Sequence, residues 1–266
     1  MSILAIEVLP EGIIFCADRN ITITRTTGIG VSTLLEVRTQ TQRPKVLRWP
    51  NSKALAGYVG LGEIGGKATD IWLYEFMGRN ITFPSIKQLA ETLKAEVEAA
   101  TAAQLKDKPH LLAIQIAGFD SRDGILAPAV YGVRNYTSLD ASGYKGVGPT
   151  FYCLDDFWSN HGLMSIYKPT PSTIKDVLKK LADANAPFWF HQGIGLAIFN
   201  TLEGYMKFAV HQLQSAGAIP KPSCLMDWEK NLKFGVLSYG AYFSAFKDPG
   251  EQFVGGGADV VSIPWP

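Results

Sequence analysis

The sequence predicts an α+β fold built on antiparallel sheets, and three features carry that prediction. Strand-like, β-branched-rich runs fill residues 3–59. Two helical periodicities then follow one another directly, and only afterwards do strands return. Nowhere do strand and helix alternate in the way that builds a parallel sheet.

The elements follow in order. Ile3–Leu9 and Ile13–Asp18 flank the turn Pro10-Glu11-Gly12, the signature of a hairpin. The two-residue period puts Ser2, Leu4, Ile6 and Val8 on one face, and Ile14, Cys16 and Asp18 on one face of the next strand. A carboxylate closing an apolar strand face needs a partner or water. The Thr-rich stretch Ile21–Thr41, with Gly28 and Gly30 marking its turn, predicts a second hairpin. Lys45–Trp49 and Lys53–Val59 predict a further strand pair around Pro50-Asn51.

After Gly62 the period changes. Ala68, Trp72 and Phe76 step by four and predict a helix. Pro84 suits the first turn of a second helix, with Ile86, Leu89, Leu93, Val97 and Ala100 as its apolar stripe. Strands at about 111–119 and 125–133 flank the turn Asp120–Gly124. Further on, Thr173-x-x-Asp176 reads as a capping box opening a helix with Ile174, Val177 and Leu181 on one face. Ile194–Leu213 and Leu232–Phe246 predict two more helices. Gly193, Gly195 and Gly204 lower the propensity of the first of these. The aromatic run Phe188-Trp189-Phe190 is expected in the core or at a subunit contact. Gly255-Gly256-Gly257 turns the chain into a last strand from Ala258 to Ile263.

Composition narrows the class. With 266 residues, 47% of them hydrophobic, the chain can bury a large core, roughly three-quarters of its unfolded surface. Lys and Arg number 25 against 24 Asp and Glu, so bulk charge gives no reason to expect nucleic acid or a membrane as partner. Glu7 and Pro10 break the first apolar run, and no run reaches the ~18 residues of a spanning helix. Cys16, Cys153 and Cys224 are odd in number and far apart, as buried thiols of a reducing compartment are. A cytoplasmic location is expected, and the sequons at Asn20, Asn80 and Asn135 are then fortuitous.

Several motifs for chemistry fail on context. Gly60-Leu61-Gly62-Glu63-Ile64-Gly65 matches a dinucleotide fingerprint letter for letter. A second helix follows the first, however, where the fingerprint needs a parallel strand ending in an acid. Those glycines read instead as tight turns or close backbone approach. His110, His161, His191 and His211 are too scattered for a metal site, and no G-x-S-x-G elbow occurs. No cofactor is expected.

The two ends of the chain hold a different constellation. Ser2 opens the first strand, and Asp18 follows sixteen residues on (18 − 2 = 16) in Gly-Ile-Ile-Phe-Cys-Ala-Asp-Arg. Lys45-Val46-Leu47 opens a short strand. Ala56-Gly57-Tyr58-Val59-Gly60-Leu61-Gly62 precedes the first helix, and Gly256-Gly257-Ala258-Asp259 leads into the last strand. Taken singly, Asp18 reads as a strand-end acid, Lys45 as a surface lysine and Asp259 as a turn residue.

Taken in order, these stretches resemble the N-terminal nucleophile hydrolases of the proteasome β-subunit type, including the bacterial two-component ATP-dependent protease. The likeness covers about residues 1–150 and 253–266. It implies a four-layer αββα sandwich of two antiparallel sheets, as a single domain over 1–266 with an enlarged helical region at about 151–250. It also implies a peptidase acting on peptides or unfolded proteins, in a ring-shaped homo-oligomer to which an ATPase partner could dock. Removal of Met1 would expose Ser2 as the nucleophile, with its own α-amine (pKa about 7.7–8.0) as base. Lys45 would keep that amine neutral with Asp18 as counter-ion, the Gly60 N–H would hold the oxyanion, and Asp259 would orient Ser2.

The sequence also departs from that family. Serine stands for threonine, the stretch between Asp18 and Lys45 is longer, and Gly146-Val147-Gly148 replaces Gly-Ser-Gly. A catalytically silent ring-forming subunit of the same fold and a small-molecule amidase are the alternative readings.

Overall fold

The structure is a computed structural model and describes residues 3–29, 33–107, 110–140, 143–158, 170, 173–184, 188–193, 196–246 and 256–266. In chain order the strands begin with β1 (Ile3–Leu9), β2 (Gly12–Asp18), β3 (Asn20–Ile29), β4 (Thr33–Gln42), β5 (Val46–Arg48) and β6 (Ala54–Gly60). Two short strands, β7 (Glu63–Ile64) and β8 (Lys67–Ala68), lead into α1 (Thr69–Arg79) and α2 (Ile86–Asp107). Then come β9 (Leu112–Arg122), β10 (Ile125–Arg134), β11 (Ser138–Asp140), β12 (Gly143–Lys145) and β13 (Tyr152–Asp155). The last part holds α3 (Ile174–Asp183), β14 (Phe188–Gly193), α4 (Leu196–Ser215), α5 (Leu225–Phe246) and β15 (Ala258–Pro264).

Helices and sheets are both present, so the fold is α+β, and every strand pairing among the described residues is antiparallel. One sheet has the order β14-β1-β2-β15 and another the order β13-β10-β9-β6-β5. The predicted Thr-rich hairpin is the separate ribbon β3-β4. First and last strands meet through β2, whose Ala17 faces Leu4 on one side and Asp259 on the other.

Strand alternation sorts the side chains into three cores. Leu4, Ile6, Val8, Ile13, Phe15 and Ala17 pack with Val46, Leu55, Val59, Ala113, Ala117 and Val130 of the second sheet. The other face of that sheet, with Ala56, Tyr58, Ile114 and Ile116, packs with Trp72 and Phe76 of α1 and Leu89, Leu93 and Val97 of α2. The other face of the first sheet, with Ile3, Ala5, Ile14 and Cys16, packs with Trp228, Leu232, Val236 and Tyr239 of α5. β1 and β2 are therefore buried on both faces, which their β-branched composition allows.

Two details depart from the sequence reading. Thr173 forms no side-chain cap at α3; its hydroxyl turns back to the Thr170 carbonyl instead, so the capping box is not made. The aromatic run at 188–190 begins an additional sheet strand, β14, paired with β1; its side chains lie outside the described residues. No helix among the described residues is long and apolar enough to cross a membrane.

Candidate active site

Asp18 ends β2 and Lys45 immediately precedes β5. The fold brings them together: Lys45 Nζ lies 2.9 Å from Asp18 Oδ2, and both side chains are only 1% exposed. The surface-lysine reading of Lys45 is thereby corrected, as the inter-sheet packing of neighbouring Val46 draws the chain inward. Asp18 also accepts from the Ile3 backbone N–H at 2.8 Å and the Asn20 N–H at 3.2 Å. The carboxylate that closes an apolar strand face thus has one ammonium and two amide donors, the set that stabilises a buried charge.

Desolvation lowers the Lys45 pKa below the ordinary lysine value, and Asp18 opposes that shift. The lysine segment is anchored on both sides. Arg43 N–H donates to the Arg19 carbonyl at 3.0 Å, and Tyr58 N–H donates to the Lys45 carbonyl at 3.0 Å.

Gly60 closes β6 at an exposed position with φ +102°, a conformation open to glycine and strained for other residues. A Cβ there would run into the Leu111 carbonyl. The same carbonyl accepts from Leu61 N–H at 2.8 Å, so this bend leaves no room for a side chain. Asn135, fully buried, fixes the adjoining loop: it accepts from Leu112 N–H at 2.8 Å and donates to the carbonyls of His110 and Gly148. Its amide is committed inside the fold, which agrees with a fortuitous sequon.

Asp259 follows Ala258, which lies opposite Asp18 in the β2–β15 ladder, and its side chain meets Arg19. Its carboxylate lies 3.3 Å from Arg19 Nε, close enough for Coulombic attraction but without hydrogen-bond alignment, and both groups are partly exposed. Such a pair contributes less than about 1 kcal/mol. Ser2, the proposed nucleophile, lies outside the described residues. The structure therefore joins Asp18 to Lys45, sets Gly60 two residues beyond the Tyr58 that holds Lys45, and gives Asp259 a different partner.

Sequence reasoning missed Arg43 and Asp70, which form a two-bond ion pair at 2.7 and 3.0 Å beside this region. The only cue was an acid in the first turn of α1. A cavity of about 270 Å³ lined by Glu11, Asp183, His211 and Trp228 lies at the turn end of the β1–β2 hairpin, opposite Asp18. No cluster of metal-ligating side chains occurs among the described residues.

Burial sets an expectation for alkaline stability. It pushes the Cys16 thiol and the Tyr58 and Tyr239 phenols far above their ordinary values. These groups keep their protons in the fold but lose them unfolded above ~8.5 for cysteine and ~10 for tyrosine. Each then removes up to about 1.4 kcal/mol of stability per pH unit. Lys45 acts in the opposite sense: its folded pKa is depressed, so its contribution rises with pH up to ~10.4. The Cys153 thiol and the Tyr131 and Tyr136 phenols are raised by burial as well, so two thiols oppose Lys45 above ~8.5 and four phenols join the loss above ~10. Chemical denaturation midpoints should accordingly begin to fall above pH ~8.5 and fall more steeply beyond ~10; midpoints that stay level through pH ~11 would contradict this assignment.

No protein-family model matches the sequence, and no curated protein matches it. Among solved structures, the chain is similar to Anbu (Gly-1) mutant from Hyphomicrobium sp. strain MC1 at 13% identity, with 99% of this chain and 82% of that chain covered and a TM-score of 0.46. That score is too low to carry a fold assignment, which rests on the strands, helices and cores described above.

Proposed function

We propose that this chain is a proteasome-like peptidase, an amide-bond hydrolase whose nucleophile is Ser2 once Met1 has been removed. One observation carries the reading. The Asp18 carboxylate accepts both from the Lys45 ammonium and from the backbone of Ile3, the residue after Ser2, in a fully buried setting. An ammonium held there lowers the pKa of a nearby α-amine and keeps it neutral, able to take the serine proton. Attack of the Ser2 oxygen on the substrate carbonyl breaks its C–N bond and forms an acyl-enzyme, the substrate's leaving amine takes that proton from the α-amine, and water hydrolyses the ester to release the acid and restore Ser2. Gly60 N–H is assigned to the oxyanion and Asp259 to orienting the nucleophile.

The three cores support a four-layer αββα sandwich, and continuous sheets joining the first and last strands support a single domain. In this reading residues 151–250 enlarge that domain, the substrate is a peptide or unfolded protein, and the assembly is a ring of identical subunits in the cytoplasm. A catalytically silent ring subunit is the second reading. Val147, where the family carries serine, favours it: the side chain packs against the inter-sheet core and offers no hydroxyl.

Intact mass of the native N-terminus, with peptide hydrolysis by wild type and Ser2→Ala, separates the two. The peptidase reading expects Met1 to be absent and Ser2→Ala to be inactive. Retained Met1 with hydrolysis unaffected by Ser2→Ala would sink it. Native mass then distinguishes a ring from the small oligomer expected of an amidase.

A further inference from the structure

Neither Lys45 nor the Gly60 bend is held by its own strand alone. Arg43, two residues before Lys45, places Nε 2.7 Å from Asp70 Oδ1 and Nη2 3.0 Å from Asp70 Oδ2. The geometry is the paired fork of a guanidinium on a carboxylate. Asp70 is 9% exposed and sits in the first turn of α1, where the helix dipole favours a negative charge. α1 has no side-chain N-cap bond of its own, so this carboxylate is the charged group at its start.

From Asp70 the connections run two ways. Toward the buried pair, the Arg43 backbone is bonded to Arg19 and the Lys45 carbonyl to Tyr58 N–H, while the Tyr58 hydroxyl lies 3.4 Å from the Pro44 carbonyl. Toward the bend, Thr69 beside Asp70 donates its hydroxyl to the Leu61 carbonyl at 2.7 Å and its N–H to the Gly62 carbonyl at 3.0 Å. One ion pair thus ties together the segment that delivers Lys45 and the loop that follows Gly60.

We propose that Arg43 and Asp70 are positioning residues that fix Lys45 against Asp18 and hold the 60–62 bend in register with it. Their catalytic consequence rests on the peptidase reading; their mechanical consequence does not. Neither residue touches substrate in this scheme. They set the separation of the two groups that would act on the reacting centre.

Residue-resolved amide hydrogen exchange on full-length Arg43→Gln, Asp70→Asn and the double variant tests the mechanical part. Exchange at Tyr58, Leu61 and Thr69 is expected to rise together, with the β9–β10 amides unchanged. The double variant should exceed neither single. Arg43→Lys, which keeps the charge but not the fork, should fall between wild type and Arg43→Gln. Unchanged exchange, or a uniform rise across both sheets, would overturn the proposal. With peptide substrate, Arg43→Gln should lower kcat ~10- to ~100-fold at nearly constant KM, the signature of misplacement; an unchanged kcat overturns the assignment too. A wild type without hydrolysis refutes the peptidase reading, and the exchange data still decide the pair.

Discussion

Lys45→Met is expected to destabilise the protein by about 3–5 kcal/mol, the usual consequence of leaving one member of a buried ion pair without the other. Lys45 and Asp18 are each 1% exposed, so water cannot replace the lost partner without opening the core between β2 and β5. The effect should depend on which partner is removed. In Lys45→Met, Asp18 keeps the amide donors of Ile3 and Asn20. In Asp18→Leu those two amides lose their acceptor as well, so Asp18→Leu should be the more damaging. The double variant should lose less than the sum of the singles, because the second change removes the orphaned charge. Urea denaturation of the four proteins checks this. Additive losses would mean that the two groups do not interact. Since the same pair sets up the proposed chemistry, Lys45→Met should also abolish hydrolysis under conditions where it remains folded.

Gly60→Ala should be nearly as severe, for a backbone reason. The residue sits at φ +102°, and a Cβ would meet the Leu111 carbonyl closer than real Cβ atoms come to any oxygen. Relief requires breaking the bond from Leu61 N–H to that carbonyl or moving the end of β9. Backbone strain of this kind costs about 1–3 kcal/mol before the clash is counted. Gly66→Ala is the control: its φ of +77° is also left-handed, but nothing lies within 4 Å. It should lose only the ~1–2 kcal/mol of the conformation itself. If Gly60 N–H is the oxyanion donor, Gly60→Ala should further lower kcat ~10²- to ~10³-fold, and Gly66→Ala should not. Equal thermal shifts in the two variants would contradict the close approach at Leu111.

Much of the fold was legible locally. The hairpin at Pro10–Gly12, the strand pair around Asn51 and the apolar stripe of α2 follow from period and turn chemistry, which depend on neighbours in sequence. β14 was not legible, because a short aromatic run between helices is compatible with strand, helix or contact until an edge of β1 claims it. The capping box failed for a related reason: Thr173 had a competing acceptor at Thr170 that no pattern reveals.

The sequence by itself determined which side chains share a face along β1 and β2, and the placement of an acid at the end of an apolar strand. Residue types and their period are enough for that, since each Cβ direction follows from the one before it. The family resemblance already implied Lys45 as the partner of Asp18; only the tertiary structure decided that the two meet at 2.9 Å out of reach of water, that Asp259 faces Arg19, and that Arg43 reaches Asp70 across 27 residues of chain. Charge pairing acts through space, and the partner is whichever group the packed sheets bring within about 4 Å while excluding water.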